Sequence, residues 1–307
     1  MKQIIFLTHQ VHWGRRPFLK KLTSQAFRLF AEEGQSNKVE VFFTSPEMIA
    51  NGYVSQFLVY RKGWELKKQT EKIETVYSYL AYNKKNRNTL RNLEKNKNIK
   101  LINPLSFVDL CFDKVKLAKF IPKEQHPQTF LVNSLKELKE EVKNIKSDKI
   151  VIKPRFGLRG IGVELYSKDK LPSEVDKDTI VQEFIELKKM GGRSYDLRLM
   201  MINNRLDHAY YRLAPKGSFK ANCTLGAQKK NVNIESLPAE VWAIAGMIDR
   251  KLERFYPRIY SIDLIRDKLG KYYILELESM PGFYHYTGAQ AKFRKNYLNN
   301  IFKSLDT

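Results

Sequence analysis

Residues Tyr260–Ile265 read YSIDLI and residues Tyr272–Ser279 read YYILELES, joined through the turn Asp267-Lys268-Leu269-Gly270. They predict two strands, Ile259–Arg266 and Lys271–Glu278, folded back on each other. Side chains on a strand alternate faces, so Glu276 and Glu278 point the same way. On strict alternation Tyr272 and Ile274 share that face, and Tyr273, Leu275 and Leu277 take the other. The short turn brings Asp263 beside the two glutamates. Three crowded carboxylates repel one another unless a cation lies between them. Hard divalent ions such as magnesium take oxygen ligands of this kind and keep waters or phosphate oxygens as well. Asp263, Glu276 and Glu278 are therefore the candidate metal ligands. The plainer reading, a solvated strand face with scattered acids, fits poorly with the apolar neighbours of Asp263 and the Pro281-Gly282 turn that follows at once.

Upstream lies a second chemical feature. Lys149–Pro154 (KIVIKP) predicts a buried strand, followed by Arg155-Phe-Gly157-Leu-Arg159-Gly160-Ile-Gly162. Glycines let backbone N–H groups approach phosphate oxygens, and Lys153 at the strand end is a point charge suited to them. The spacing is not that of a P-loop, which needs Gly-Lys-Ser/Thr, so this is another phosphate device or only a turn. Thr179–Glu186 (TIVQEFIE) predicts a strand whose Gln182, Glu183, Phe184 and Ile185 could face a heterocycle; a core strand with polar exits is the alternative. Strands at Ser194–Ile202 and Leu206–Leu213, with Asn203-Asn204 as the hairpin turn, carry Asp196, Arg198 and Arg212. The two arginines could clamp a carboxylate or a transferring phosphoryl group, or they are ordinary surface charge. Lys220 and Asn222 follow.

The rest of the chain supplies scaffolding. Lys2–Thr8 and Val39–Thr44 predict strands around a helix from Pro17 to a stop at Gly34, an α/β unit with a parallel pair. Glu74–Ala81 predicts a strand or short helix, Asn86–Leu93 a polar helix, and Ile99–Asn103 a strand closed by Pro104. Asp113–Phe120 and Ser134–Ile145 predict helices, the second opening on a Ser134/Glu137 capping box. Leu237–Phe255 predicts another. The divisions drawn are an N-terminal domain over residues 1–110, a central lobe over 111–190 and a C-terminal lobe over 191–307.

With 307 residues, 43% of them hydrophobic, the chain has material for two or three packed subdomains. No apolar run is long enough for a membrane span, and the N-terminal run lacks a cleavage pattern, so a cytoplasmic setting is expected. Cys111 and Cys223 make no disulfide framework, and His9, His12, His126, His208 and His285 show no zinc-type spacing. The formal net charge is +22, and Lys84–Lys100 carries seven basic residues against Glu94. That excess points to an anionic partner such as an acidic peptide, or it is a compositional bias on a solvated helix. The stretch lacks the interleaved aromatics of a base-stacking surface, so nucleic acid is the less favoured partner.

The order of these features is more telling than any one of them. Lys114, the strand-end Lys153 with its glycine loop, Gln-Glu-Phe-Ile, Asp-Leu-Arg, Arg-Leu-Ala, an Asn, then Asp…Glu-x-Glu-x-x-Pro-Gly resembles the ATP-grasp superfamily over residues 111–290. Within it, the chain is most similar to RimK-type carboxylate–amine ligases, and residues 74–110 resemble the preATP-grasp region of spore-coat-associated proteins. The resemblance implies an α/β fold of two α+β lobes, an ATP-grasp fold with a preATP-grasp α/β domain before it. It implies ATP and two magnesium ions, with Lys114 and Lys153 on the phosphates under the loop of Gly157, Gly160 and Gly162, and Lys220 among the nucleotide-binding residues. Gln182, Glu183, Phe184 and Ile185 would lie at the adenine, Asp196 near the nucleotide, and Asp263, Glu276 and Glu278 at the metal. Arg212, Arg198 and Lys153 would be catalytic, with Asn222 also facing the reacting groups. The implied activity joins a carboxylate to an amine through an acylphosphate, on an amino acid or acidic peptide. A kinase acting on a hydroxyl, or a nucleotide-binding scaffold without turnover, are the alternatives, and a homo-oligomer is compatible with the resemblance. The sequence departs from the family at Glu278, where Asn is usual, at Lys220, where Arg is usual, and in an insertion-like Leu187–Arg193.

Overall fold

A computed structural model describes residues 2–14, 16–157, 160–282 and 291–305. Leu158, Arg159 and His285 lie outside the described residues.

The first sheet is built on β1 (Lys2–Leu7). Parallel neighbours β2 (Val39–Thr44) and β8 (Thr75–Ser78) flank it, and β9 (Lys100–Ile102) pairs parallel with β8. The antiparallel strands β5 (Phe57–Tyr60) and β6 (Trp64–Lys67) extend the other side. Strands buried on both faces read as continuous apolar runs. Ile4 and Phe6 accordingly pack with helix α1 (Lys21–Ser36), while Ile5 and Leu7 face Leu90 and Leu93 of α2 (Lys84–Glu94). A small sheet of β3 (Ile49–Ala50), β4 (Tyr53–Val54) and β7 (Glu71–Lys72) completes this lobe. Gly34 does not stop α1, which runs on to Ser36. Its missing side chain serves a close approach instead, because a Cβ there would sit 2.9 Å from Val41 Cγ2 and 3.0 Å from the Val39 carbonyl oxygen. Of the basic residues on and after α2, Arg87 forms a two-bond pair with Asp109, and Lys100 lies over the Tyr256 ring.

Helices α3 (Leu105–Phe112) and α4 (Lys114–Phe120) lead into a four-stranded antiparallel sheet. Its order is β10 (Thr129–Val132), β13 (Thr179–Glu183), β11 (Lys149–Pro154) and β12 (Glu164–Ser167). Helix α5 (Leu135–Glu141) packs on one face through Leu138 against Ile150 and Val181. Ser134 accepts from Glu137 N as its N-cap, while the Glu137 carboxylate takes Asn133 N–H. Alternation along β11 and β13 then turns Val151, Lys153 and Gln182 to the opposite face.

The third sheet runs β17 (Gln228–Val232), β16 (Arg205–Leu213), β15 (Arg193–Ile202), β18 (Ile259–Arg266) and β19 (Tyr272–Glu278), all antiparallel. Leu197, Leu199, Ile262 and Leu264 face α6 (Ala239–Lys251) and also α3 and α4. The boundary drawn at residue 110 thus falls inside a helix that packs with the last lobe. The insertion-like Leu187–Arg193 is paired to the third sheet. β14 (Lys189–Met190) pairs with the start of β15 across Gly191 and Gly192, and Lys188 N donates to Arg266 O.

Helix α7 (Ala291–Ser304) returns to the first lobe, where Tyr297, Leu298, Ile301 and Phe302 enter the core around Phe6 and Phe30. Buried Asn103 stitches the same junction: its amide donates to Ile259 O and Ser279 O and its oxygen accepts from Ile259 N. Cys111 and Cys223 are free thiols. Among the described residues no helix is long and apolar enough to cross a membrane.

Candidate active site

The inner faces of the second and third sheets line an open cleft with a cavity volume of about 150 Å³. Lys153 comes to it from β11, Gln182 and Glu183 from β13, Asp196 from β15, Arg212 from β16, Asp263 from β18 and Glu276 from β19. Gly160, Phe184, Ile185, Lys220 and Asn222 also line it. Lys114, Gly157, Glu276 and Glu278 line a smaller recess that shares Glu276 with the cleft. Arg198 stands on the same sheet face, while Gly162 lies against Pro154, where a Cβ would come within 3.1 Å of two ring carbons.

Strand register decides the electrostatics. Asp196 lies directly opposite Arg212, and Arg198 directly opposite Asp263. Each pair closes with two hydrogen bonds of 2.7 Å, and Arg212 Nη2 adds a 2.6 Å bond to Asp263 Oδ2. The result is a continuous ladder, Asp196–Arg212–Asp263–Arg198, with Asp196, Arg212 and Asp263 buried. Burial alone would raise the Asp263 pKa, but the two guanidiniums outweigh it and hold the carboxyl below its ordinary value. Asp196 shares only one of those arginines, and burial pushes it up. The sequence reading offered both arginines as clamps for a carboxylate or a transferring phosphoryl group, or as surface charge; here their Nε edges grip the protein's own aspartates. Among the described residues Nη1 of Arg212 has no partner, leaving two N–H groups for a ligand.

The alternation expected along β19 also fails. The pairing with β18 slips between Asp263 and Leu264, so Asp263 faces Glu276 while Leu264 faces Ile274. Leu275 is the extra residue of this bulge. Tyr272 and Ile274 consequently join Leu277 in the core, and Leu275 and Glu276 both line the cleft. Glu276 and Glu278 do share a side with Asp263, and both Glu276 and Asp263 act on Glu278 electrostatically, though among the described residues no three His, Cys, Asp or Glu side chains form a ready-made metal cluster. Their chemistry nonetheless suits a hard cation. Burial raises the Glu278 pKa despite nearby Arg198, which marks a carboxylate short of positive charge.

On the phosphate side, Asp113 caps α4 by accepting from Val115 N and Lys116 N. Arg155 forms two bonds to that Asp113 carboxylate and a third to Asp178. This tie fixes Lys114, whose Nζ donates to Gly157 O at 2.8 Å. Lys153 is 5% exposed. Burial lowers its pKa to about 8, partly offset by Glu276 and reinforced by Lys114. Glu183 N and Phe184 N are bonded to Gln128 O and Lys149 O, so they are not free donors for a heterocycle. Asn222 spends its side-chain oxygen on Thr224 N and Oγ1. Sequence reasoning missed Tyr195, Phe219, Ile265 and Leu275, which also line the cleft. Apolar residues in strands and loops carry no signal that separates a ligand wall from a core.

A family model described as a RimK-like ATP-grasp domain matches residues 111–296. A probable alpha-L-glutamate ligase from Psychromonas ingrahamii is 26% identical over 187 residues, which are 59% of this chain and 57% of that protein. The chain spans little more than half the length of such curated relatives. Among solved structures, a RiPP-associated ATP-grasp ligase from Chryseobacterium gregarium, in complex with ADP and a leader and core peptide, superposes with a TM-score of 0.65 at 16% identity. That match covers 99% of this chain and 97% of the other. The macrocyclase MdnC from Microcystis aeruginosa, bound with precursor peptide MdnA, gives 0.64 at 12% identity, covering 98% and 99%. These likenesses show an ATP-grasp fold throughout the chain.

Proposed function

The chain belongs to the RimK-like ATP-grasp family, and from that premise we propose that it is an ATP-dependent ligase joining a carboxylate to an amine of amino-acid or peptide type. One observation carries the reading: Lys153, Arg212, Asp263 and Glu276 meet in a single cleft whose described lining includes no Cys, Ser or His to act as a covalent nucleophile. Such a lining neutralises and positions phosphates, which is most of what phosphoryl transfer asks of a protein.

Adenine would lie against Gln182–Ile185, with the triphosphate running toward Lys153 and Lys114 beneath the 157–162 loop. Lys220 would add a further charge to the phosphates. Asp263, Glu276 and Glu278 would hold two magnesium ions, which supply charge neutralisation at the phosphates when bound. The substrate carboxylate attacks the γ-phosphorus, giving an acylphosphate and ADP. The amine then attacks the acyl carbon, phosphate departs, and the nitrogen gives up a proton to leave the amide. Arg212 is catalytic in this scheme, with Nη1 facing the oxygens on which charge develops and Asn222 beside it. Arg198 holds Asp263, and Asp196 aims Arg212. The excess of basic residues supports an acidic peptide or glutamate as a substrate.

The test is incubation with Mg-ATP, hydroxylamine and pools of amino acids and glutamate-rich peptides, following ADP, phosphate and hydroxamate. A ligase gives all three. A stable phosphorylated product without free phosphate would mark a kinase, and tight ATP binding without turnover a scaffold; either result overturns the proposal.

A further inference from the structure

Behind the cleft wall, a chain of buried polar groups admits one self-consistent direction. Lys153 Nζ lies 2.9 Å from Gln182 Oε1. An ammonium only donates, so the Gln182 atom that faces it has to be oxygen. The amide nitrogen therefore turns the other way, 2.7 Å from Thr129 Oγ1 and 3.4 Å from His126 Nε2. The Thr129 hydroxyl donates to Pro127 O at 2.7 Å, which leaves its lone pairs to accept from Gln182. Because the amide nitrogen also only donates, His126 Nε2 carries no proton. At the far side of the ring, Nδ1 lies 2.8 Å from Ile274 O, a carbonyl that only accepts, so Nδ1 carries it. Both ends of the imidazole independently require the same neutral tautomer.

The geometry points to His126 as a positioning residue: by accepting from Gln182 and donating to Ile274 O, it locks the Gln182 oxygen toward Lys153 and holds that ammonium at the cleft. Without the ring acceptor, the amide nitrogen keeps only the Thr129 hydroxyl, and its second N–H is left unpaired in a buried site, which loosens the hold on the Gln182 oxygen. His126 belongs to none of the sites described above, and no spacing in the sequence marks it. The chain of bonds it belongs to draws on four strands, since Thr129 is on β10, Gln182 on β13, Lys153 on β11 and Ile274 on β19 beside the Leu275 bulge. Burial keeps the ring neutral, lowering its pKa to about 4 against the opposing Ile274 bond. A buried histidine that merely fills space would need no such agreement between its two nitrogens.

The inference rests on Lys153 being a phosphate-binding lysine, so the test uses ligands with and without phosphates. ADP and adenosine are titrated into the full chain and into H126L, H126Q and K153M. H126L should weaken ADP about tenfold, as expected for losing a bond that serves a charged group, with adenosine changed by no more than about twofold. H126Q offers a side-chain oxygen to Gln182 and should bring ADP back to within about threefold of the wild type. Equal weakening of both ligands in H126L, or no recovery in H126Q, overturns the role. If K153M loses ADP while H126L does not, the positioning role fails alone. If K153M binds ADP as the wild type does, the phosphate reading of the cleft fails, and the inference with it. Nitrogen-15 NMR of labelled histidine gives a separate readout: at neutral pH, Nδ1 should be protonated and Nε2 bare, and the opposite tautomer overturns the assignment.

Discussion

Arg198 on β15 and Asp263 on β18 are direct cross-strand neighbours, joined by two hydrogen bonds of 2.7 Å. That pairing gives the proposed metal aspartate a second duty, because the carboxylate is oriented by an arginine before any ligand arrives.

Replacing Arg198 with Met should therefore act on the fold as well as the chemistry. It leaves Asp263 buried with the single Arg212 bond, and breaking such a pair costs about 3–5 kcal/mol. Arg198→Lys keeps the charge without the fork and should fall between. Urea unfolding of the three proteins checks the order; equal midpoints would remove the ladder from the stability account.

Acid should expose His126. Its pKa falls from 6.5 to about 4 on folding, so between those values the unfolded chain binds the extra proton and the native state does not. The contribution is fully present above pH 6.5 and is lost as pH drops toward 4, amounting to about 3 kcal/mol at most. Asp196, whose pKa is raised, slopes the opposite way in the acid range but does so in every variant. Subtracting the H126Q stability curve from that of the wild type isolates the histidine. A flat difference between pH 4 and 6.5 refutes the assignment.

Glu278 is a half-buried carboxylate whose pKa is raised by desolvation, with too little positive charge nearby to compensate. Changing it to Gln keeps the oxygen that accepts from Met280 N while removing the charge. The variant should unfold at an equal or higher urea concentration, gaining about 1 kcal/mol, and should need more magnesium for half-maximal turnover. Glu276→Ala, by contrast, should abolish turnover and leave the fold intact. An active Glu276→Ala enzyme removes Glu276 from the metal site.

At Gly34 the effect should be purely structural. A methyl group there collides with Val41 and with the Val39 carbonyl, which is backbone and yields little. Gly34→Ala should destabilise by about 1–3 kcal/mol with ADP affinity unchanged. Calorimetry and ADP titration on one preparation separate the two.

Much of this arrangement was readable in advance because it depends on local pattern. The β18–β19 hairpin, the glycine loop after Lys153 and the Asn203-Asn204 turn each follow from residues near one another in the chain. What escaped depends on register. Nothing in YYILELES announces that Leu275 is skipped, so strict alternation put Tyr272 and Ile274 on the wrong face. Arg198 and Arg212 read equally well as ligand clamps, since only the offset between β15, β16 and β18 sets Asp263 and Asp196 opposite them. Gly34 looked like a helix stop because a glycine required by the next strand gives the same letter as one that ends a turn. His126 gave no sign, its partners being 56 and 148 positions away.

The return of α7 to the first lobe has a consequence for synthesis. Phe30 packs against Phe302 in a tilted pair with ring centroids 4.8 Å apart, so a core begun by the opening strands is completed by a segment that leaves the ribosome about 270 residues later. The first lobe cannot mature vectorially. During translation the part of α1 that α7 covers stays exposed while the second and third sheets form.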